Sequence, residues 1–325
     1  MNHRQQTDPL RVLVVSEELS SYQQLLQQPE ASLTRVEYGF AEDIEAAREA
    51  AAQAQVLFGD PDLLLDLLDS CGPQLRWIQS SWAGVAPLIA RLKGREAAPQ
   101  LTNIRGIFGP LMTEYVFAYL LAHERRLLER WQSQQQRRWD ARPGAGLQGK
   151  TLGLLGLGSI GSHVAGVARA FGMRVLGCSR TPPKAGTVDK HFLSAELGQM
   201  LTEIDYLVCT LPSTPETRNL LDAAMLARMR AGAVLINAGR GDLIDDQALI
   251  EALQQQRLAA AVLDVFRQEP LPPEHSFWDQ PNLLISSHTA APSYPSQVVP
   301  IFLDNLQRFQ RGQPLQFRVD LERGY

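Results

Sequence analysis

Short apolar runs recur along the chain, separated by stretches whose apolar residues return every three or four positions. RVLVV (11–15), TRVEY (34–38), QVLFG (55–59) and LRWIQ (75–79) read as strands. Between them lie AEDIEAAREAAAQA (41–54), which reads as a helix, and a helical stretch ending near Pro29. A long helical pattern follows Gly109-Pro110 from Leu111 to Trp139, and the glycine-rich ARPGAGLQGK (141–150) ends it. A second alternating series then places strands at TLGLLG (151–156), MRVLGC (173–178), YLVCT (206–210), AVLIN (233–237), AAAVLDV (259–265) and NLLISS (282–287), with helices between the first five. From Ser296 to Arg311 the pattern is helical again. Apolar strands alternating with helices predict the α/β class: two doubly wound parallel-sheet domains. The last helix follows a complete second series, so it is expected to return to the first domain. The expected division is 1–108 with 293–325, and 109–292.

The 325 residues suffice for two domains of ordinary size. A formal net charge of −4 supplies no basic footprint for nucleic acid. Arg125, Arg126, Arg130, Arg137 and Arg138 cluster, but acids and glutamines interrupt them, which reads as a solvated helix face. Cys71, Cys178 and Cys209 are odd in number and far apart, without a metal-ligand pair or a disulfide framework. The first residues, MNHRQQTDPLRVLVV, carry no secretory pattern, and the longest apolar run, Tyr115 to Ala122, is too short to span a bilayer. A soluble cytoplasmic protein is expected, with no metal, nucleic acid or membrane partner.

Gly156-Leu-Gly158-Ser-Ile-Gly161 follows a strand and opens a helix. The first glycine permits a tight turn, the second leaves room for a pyrophosphate, and the third lets helix and strand approach. The amides of Ser159, Ile160 and Gly161 then offer a helix N-terminus to phosphate. This is a dinucleotide-binding pattern in its proper strand–helix context. An acid is expected near the end of the next strand, to hold the adenosine ribose. The sequence there is VLGCSRTPPK (175–184). Ser179 does not repel a ribose 2′-phosphate, and Arg180 and Thr181 suit its oxygens. NADP(H) is therefore expected in preference to NAD(H), with NAD(H) use the alternative.

INAGRGDLID (236–245), LDVFRQEP (263–270) and ISSHTAAP (285–292) place Arg240, Glu269 and His288 just beyond three strands. Open α/β sheets hold ligands at that rim, and arginine, carboxylate and histidine together form an acid–base set. With LGLLGLGSIG, these segments resemble the D-isomer-specific 2-hydroxyacid dehydrogenase family. The resemblance runs from Leu75 to the C-terminus and is strongest from 149 to 292. It implies a flavodoxin-like substrate domain and a Rossmann cofactor domain with the active site in an inter-domain cleft. It also implies a homodimer using the long middle helix. By the resemblance, Arg240 binds the substrate carboxylate and the reactive oxygen. His288 is the general acid in reduction and the base in reverse, and Glu269 orients it and favours its protonated form. The implied reaction is NAD(P)H-dependent reduction of a small 2-oxo acid to the D-2-hydroxy acid.

The same resemblance assigns further positions. Leu211, Pro212 and Thr217 in TLPSTPETRNL (210–220) line the nicotinamide ribose, with Ala238 and Gly239 nearby, and Asp264 accepts from the carboxamide. SSWAGVAPL (80–88) is similar to the substrate loop, so Trp82, Ala83, Gly84 and Val85 face the substrate carboxylate. Trp82 is bulky for that loop, Ala86-Pro87 stands where many members carry an acid, and Tyr294 stands where some reductases carry a base. The serine–arginine pair favours glyoxylate/hydroxypyruvate reductases that use NADP. The alternatives are an NAD-dependent member with another 2-oxo acid and a dinucleotide-sensing, corepressor-like binding protein of the same fold.

Overall fold

The computed structural model describes residues 8–28 and 35–323. The chain divides into two compact units: one built up to Ile107 and again from Ser293, the other from Phe108 to Pro292.

In the first unit β1 (Leu10–Val15), α1 (Leu19–Leu26), β2 (Val36–Phe40), α2 (Ile44–Ala51), β3 (Val56–Gly59), α3 (Pro61–Leu67), β4 (Trp77–Ser80), α4 (Ala86–Leu92) and β5 (Gln100–Thr102) alternate strictly. The second unit carries α5 (Gly109–Glu124), α6 (Leu127–Gln135), β6 (Thr151–Leu155), α7 (Ser159–Ala170), β7 (Arg174–Cys178), β8 (Lys190–Phe192), α8 (Leu197–Leu201), β9 (Tyr206–Cys209), α9 (Ala223–Leu226), β10 (Ala233–Asn237), α10 (Asp246–Gln254), β11 (Leu258–Leu263) and β12 (Leu283–Ile285). A final helix, α11 (Pro295–Gln310), belongs to the first unit.

Among the described residues the strands form two wholly parallel sheets, ordered β2-β1-β3-β4-β5 and β12-β11-β10-β9-β6-β7-β8. The central strands are buried along their whole length, which is why they read as unbroken apolar runs. Each sheet reverses direction of growth once: between β1 and β3, and between β6 and β9. Open sheets take ligands at the C-terminal rim of such a reversal.

The return of α11 fills the first unit's core. Phe302 stacks on Phe58 at 4.1 Å and on Trp77 at 5.5 Å, and Asn305 bonds the Gln79 amide oxygen at 3.1 Å.

The middle helix differs from expectation. It breaks at Arg125-Arg126, where Arg126 takes the left-handed conformation (φ 57°). The carbonyl of Glu124 accepts from Ala145 N at 2.8 Å, so the returning chain occupies the space for another turn. After α6 the chain is not helical as far as Trp139. Arg130, half-buried on α6, also clasps this loop: its guanidinium donates to the carbonyls of Arg125, Asp140 and Arg142. The pattern does not show two edge strands, β5 and β8, because QLT and KHF are not apolar runs and are too short to show alternation. Thr34 and Pro29 lie outside the described residues.

Candidate active site

The glycine loop sits at the β6/β9 reversal, and its three glycines do three different things. Gly156 has φ +107°, and a Cβ there would lie 2.9 Å from Thr210 Oγ1 at the end of β9. A Cβ on Gly161 would lie 2.1 Å from the Gly156 carbonyl oxygen, so α7 packs on its own turn. A Cβ on Gly158 would meet nothing within 4 Å. Close approach thus requires the outer two, while the middle one faces open space in front of the Ser159, Ile160 and Gly161 amides. These residues fit the pyrophosphate of a dinucleotide.

Arg240 follows β10 between two glycines that permit close backbone packing. A Cβ on Gly239 would lie 2.8 Å from the Leu211 carbonyl oxygen, and one on Gly241 would lie 2.0 Å from the Phe266 carbonyl carbon. Asn237 ties the turn, donating to the Arg240 carbonyl (2.9 Å) and accepting from Gly239 N (3.1 Å). Burial pulls the guanidinium's pKa down, and the charges of Glu269 and Asp242 oppose that pull. The guanidinium thus feels the charges of two carboxylates.

His288 and Glu269 meet. His288 Nδ1 is 2.7 Å from Glu269 Oε2, and Glu269 Oε1 accepts from Phe266 N at 2.8 Å. A carboxylate on Nδ1 selects the tautomer with its hydrogen there and leaves Nε2 to exchange a proton. The side chain of His288 is 54 % exposed, so that nitrogen is accessible.

Ser287 and His288 both adopt positive φ, 53° and 58°. Such conformations cost about 1–3 kcal/mol each and persist where neighbours impose them. Asp264 does so here. It is 1 % exposed. Its carbonyl accepts from His288 N at 2.6 Å. Its carboxylate accepts from Ser286 Oγ (2.7 Å), Thr289 N (2.8 Å) and Ala290 N (3.2 Å). Tyr115 Oη on α5 lies 2.7 Å from Ser286 Oγ, and burial pushes that phenol's pKa up. Asp264 N in turn donates to Asn237 O at 3.0 Å, joining the Arg240 and His288 loops through one backbone link.

The other expected residues lie as follows. Leu211 and Pro212 follow β9 beside Gly239, and Ala238 is buried at the end of β10. The Thr217 hydroxyl donates to Pro212 O (2.8 Å) and accepts from Thr214 N (2.8 Å), so it closes its own loop. Ser179, Arg180 and Thr181 stand at the end of β7, with Ser179 Oγ donating to Thr181 O at 2.8 Å. Arg180 also bears on the 212–217 loop. Thr214 and the local backbone, and more weakly the Arg180 charge, hold the Glu216 carboxyl below its usual range. In the first unit, Trp82–Val85 joins β4 to α4. Ser80 Oγ accepts from Trp82 N (3.0 Å), and Asn103 Nδ2 donates to Ala83 O (2.8 Å). Trp82 itself is 41 % exposed.

Tyr115, Ser286 and the buried clamping role of Asp264 were not read from the sequence. Each is a single polar residue whose partner is distant in the chain, so no spacing reveals it. Among the described residues no group of His, Cys, Asp and Glu could hold a metal ion, and no helix is long and apolar enough to cross a membrane.

The chain is similar to known proteins. Residues 117–290 match the family model described as "D-isomer specific 2-hydroxyacid dehydrogenase, NAD binding domain". A glyoxylate reductase of Aeropyrum pernix is 35 % identical over 284 residues, 83 % of each chain. A crystal structure of a D-isomer specific 2-hydroxyacid dehydrogenase family protein from Aeromonas salmonicida is 40 % identical, with a TM-score of 0.91 over 97 % of this chain and 100 % of that one. An NADPH-dependent glyoxylate/hydroxypyruvate reductase from Sinorhizobium meliloti, solved with NADP and sulfate, is 27 % identical, with a TM-score of 0.83 over 97 % of this chain and 99 % of that one.

Proposed function

We propose, given that the chain belongs to the D-isomer specific 2-hydroxyacid dehydrogenase family, that it reduces a small 2-oxo acid of the glyoxylate or hydroxypyruvate kind, with NADPH preferred over NADH. The family makes it an NAD(P)-dependent oxidoreductase. The observation that carries the reading is the His288–Glu269 pair, 2.7 Å apart beside a cationic Arg240, at the rim that also bears the glycine loop.

Gly156, Gly158, Ser159, Ile160 and Gly161 would hold the pyrophosphate. Leu211, Pro212, Ala238 and Gly239 would flank the nicotinamide, and Asp264 would serve it with a remaining lone pair. Ser179, Arg180 and Thr181 would take the 2′-phosphate. The bound cofactor supplies a hydride to the 2-oxo carbon. Arg240 would pair with the substrate carboxylate as a forked donor and draw electron density toward the carbonyl oxygen. His288 Nε2 would give that oxygen its proton, and Glu269 would keep the imidazole oriented as it does so. Trp82, Ala83, Gly84 and Val85 would face the substrate carboxylate.

Two further parts of the reading concern the whole protein. Leu127, Leu128 and Trp131 on α6 and Trp139 beyond it (92 % exposed) are exposed apolar side chains that a second copy would cover. Three free thiols suit a reducing cytoplasm.

The test is NADPH and NADH absorbance with glyoxylate, hydroxypyruvate, pyruvate and phenylpyruvate. Turnover of the first two, faster with NADPH, is the expected result. Absence of turnover on every acid overturns the reading. Light scattering at twice the chain mass checks the dimer.

A further inference from the structure

A chain of hydroxyls runs within the second unit from α5 to the loop that bears His288. Tyr115 Oη is 2.7 Å from Ser286 Oγ, and Ser286 Oγ is 2.7 Å from Asp264 Oδ1. The same Oδ1 accepts amide hydrogens from Thr289 (2.8 Å) and Ala290 (3.2 Å), so it is an acceptor here. Ser286 therefore spends its one hydroxyl proton on Asp264. Its oxygen can only accept from Tyr115, and the phenol is the donor. Burial raises that phenol's pKa, which keeps its proton in place at neutral pH. The chain thus has one direction, from Tyr115 through Ser286 to Asp264.

Its two ends differ in how firmly they are held. At the α5 end, Val116, Phe117 and Leu120 are buried in a core of the second sheet, and Tyr115 packs against the same core. Tyr119, one turn on, meets the Tyr115 ring edge-on at 4.8 Å. The hydroxyl is therefore presented from a fixed helix. At the other end, Ser287 and His288 have left-handed φ, which residues with a Cβ rarely adopt. Ser286 N still bonds Leu263 O at 3.1 Å, and from there the loop's amides turn to Asp264. His288 N donates to its carbonyl, and Thr289 N and Ala290 N donate to its carboxylate. The orientation of that carboxylate sets where the backbone of 288–290 lies.

We propose that Tyr115 is a positioning residue for His288: its hydroxyl fixes Ser286, Ser286 fixes the Asp264 carboxylate, and that carboxylate holds the left-handed turn from which the imidazole reaches Glu269. This rests on His288 being the proton donor of the reaction proposed above. Tyr115 acts through the turn and not on the substrate. Its loss should cost rate and spare the binding of the 2-oxo acid, because the carboxylate of that acid belongs to Arg240.

The experiment compares full-length wild type, Tyr115→Phe, Ser286→Ala and the double variant, well below their melting temperatures. Two quantities are read: steady-state kinetics with glyoxylate and saturating NADPH, and amide hydrogen exchange of the segment 283–292 by mass spectrometry. Phenylalanine keeps the ring in its packing and removes only the donor. Tyr115→Phe should lower kcat about fivefold, the net worth of one hydrogen bond, with the KM for glyoxylate unchanged. The amides of 283–292 should exchange about fivefold faster, because the turn opens more often. Ser286→Ala should lower kcat at least as far, and the double variant no further than Ser286→Ala, since both break one chain. If Tyr115→Phe lowers the melting temperature but leaves kcat and exchange at wild-type values, Tyr115 only packs and the proposal is overturned. If the two losses in kcat multiply in the double variant, the residues act separately, which also overturns it. If wild type turns over neither glyoxylate nor hydroxypyruvate, the proposed reaction falls and exchange alone decides. Faster exchange in both single variants then keeps Tyr115 as the holder of the turn, and unchanged exchange removes it from that role.

Discussion

The two sheets share an architecture but treat their points of reversal oppositely. Between β6 and β9 the rim is lined by glycines, and the place of a Gly158 Cβ is open to 4 Å. Between β1 and β3 the same place is plugged. Asp60, 6 % exposed at the end of β3, accepts from Ser16 Oγ (2.8 Å), Glu17 N (2.9 Å) and Ser81 Oγ (2.5 Å). It staples the ends of β1, β3 and β4 together. A doubly wound sheet offers a crevice, but the residues at the crevice decide whether it binds or braces. Here one sheet spends its reversal on a ligand. The other spends it on holding the loop that leads to Trp82.

The comparison is broken most severely at His288. His288→Gln should lower kcat by roughly 10²–10⁴, the usual contribution of a positioned proton donor. Dinucleotide binding by fluorescence should remain, because the open reversal is untouched. Loss of both would mean that the two loops act as one.

Gly161 and Gly158 sharpen it next. Gly161→Ala puts a methyl against the Gly156 carbonyl, a backbone clash worth about 1–3 kcal/mol. Dinucleotide affinity should drop roughly ten- to hundredfold, with a lower melting temperature. Gly158→Ala should leave the melting temperature unchanged and weaken only binding, since its space is empty without a ligand. Equal thermal losses in the two variants would refute that division.

Asp60→Ala tests the plugged side. It leaves two hydroxyls and one amide without their acceptor, at about 3 kcal/mol of stability. Chemical denaturation should show that loss in the first unit, with dinucleotide affinity unchanged.

The smallest effect concerns the floor of the open reversal. Cys178 and Cys209 end β7 and β9, and burial raises both thiols, Cys178 to about 11. Only the thiolate reacts, so both stay protonated at pH 8, and Cys178 becomes reactive only as the pH climbs toward that value. Iodoacetamide at pH 8 should label them in the native protein at least tenfold more slowly than after unfolding. Rapid native labelling would mean that water reaches beneath the rim.

Much of this was legible in the sequence, for identifiable reasons. Strands buried on both faces leave unbroken apolar runs, so the strands of both sheets' interiors could be read. Arg240, Glu269 and His288 each sit a few residues past such a run, so their common rim followed from the strands. What escaped lacked either signal. β5 and β8 are three residues of mixed character, neither an apolar run nor long enough to alternate. The break at Arg126 occurs without glycine or proline, because it is imposed by the chain returning at Ala145. Asp60, Asp264 and Tyr115 act through partners far away in the chain, and only folding brings those together.

The position of α11 also bears on how the chain is made. Asn305 and Gln79 are bonded yet stand 226 residues apart in the chain. The second unit is continuous, so it can close as soon as β12 leaves the ribosome. The first unit, begun earlier, waits with Phe58 and Trp77 uncovered until Phe302 arrives. N-terminal domains ordinarily fold first during synthesis. In this protein the part translated first is the part completed last.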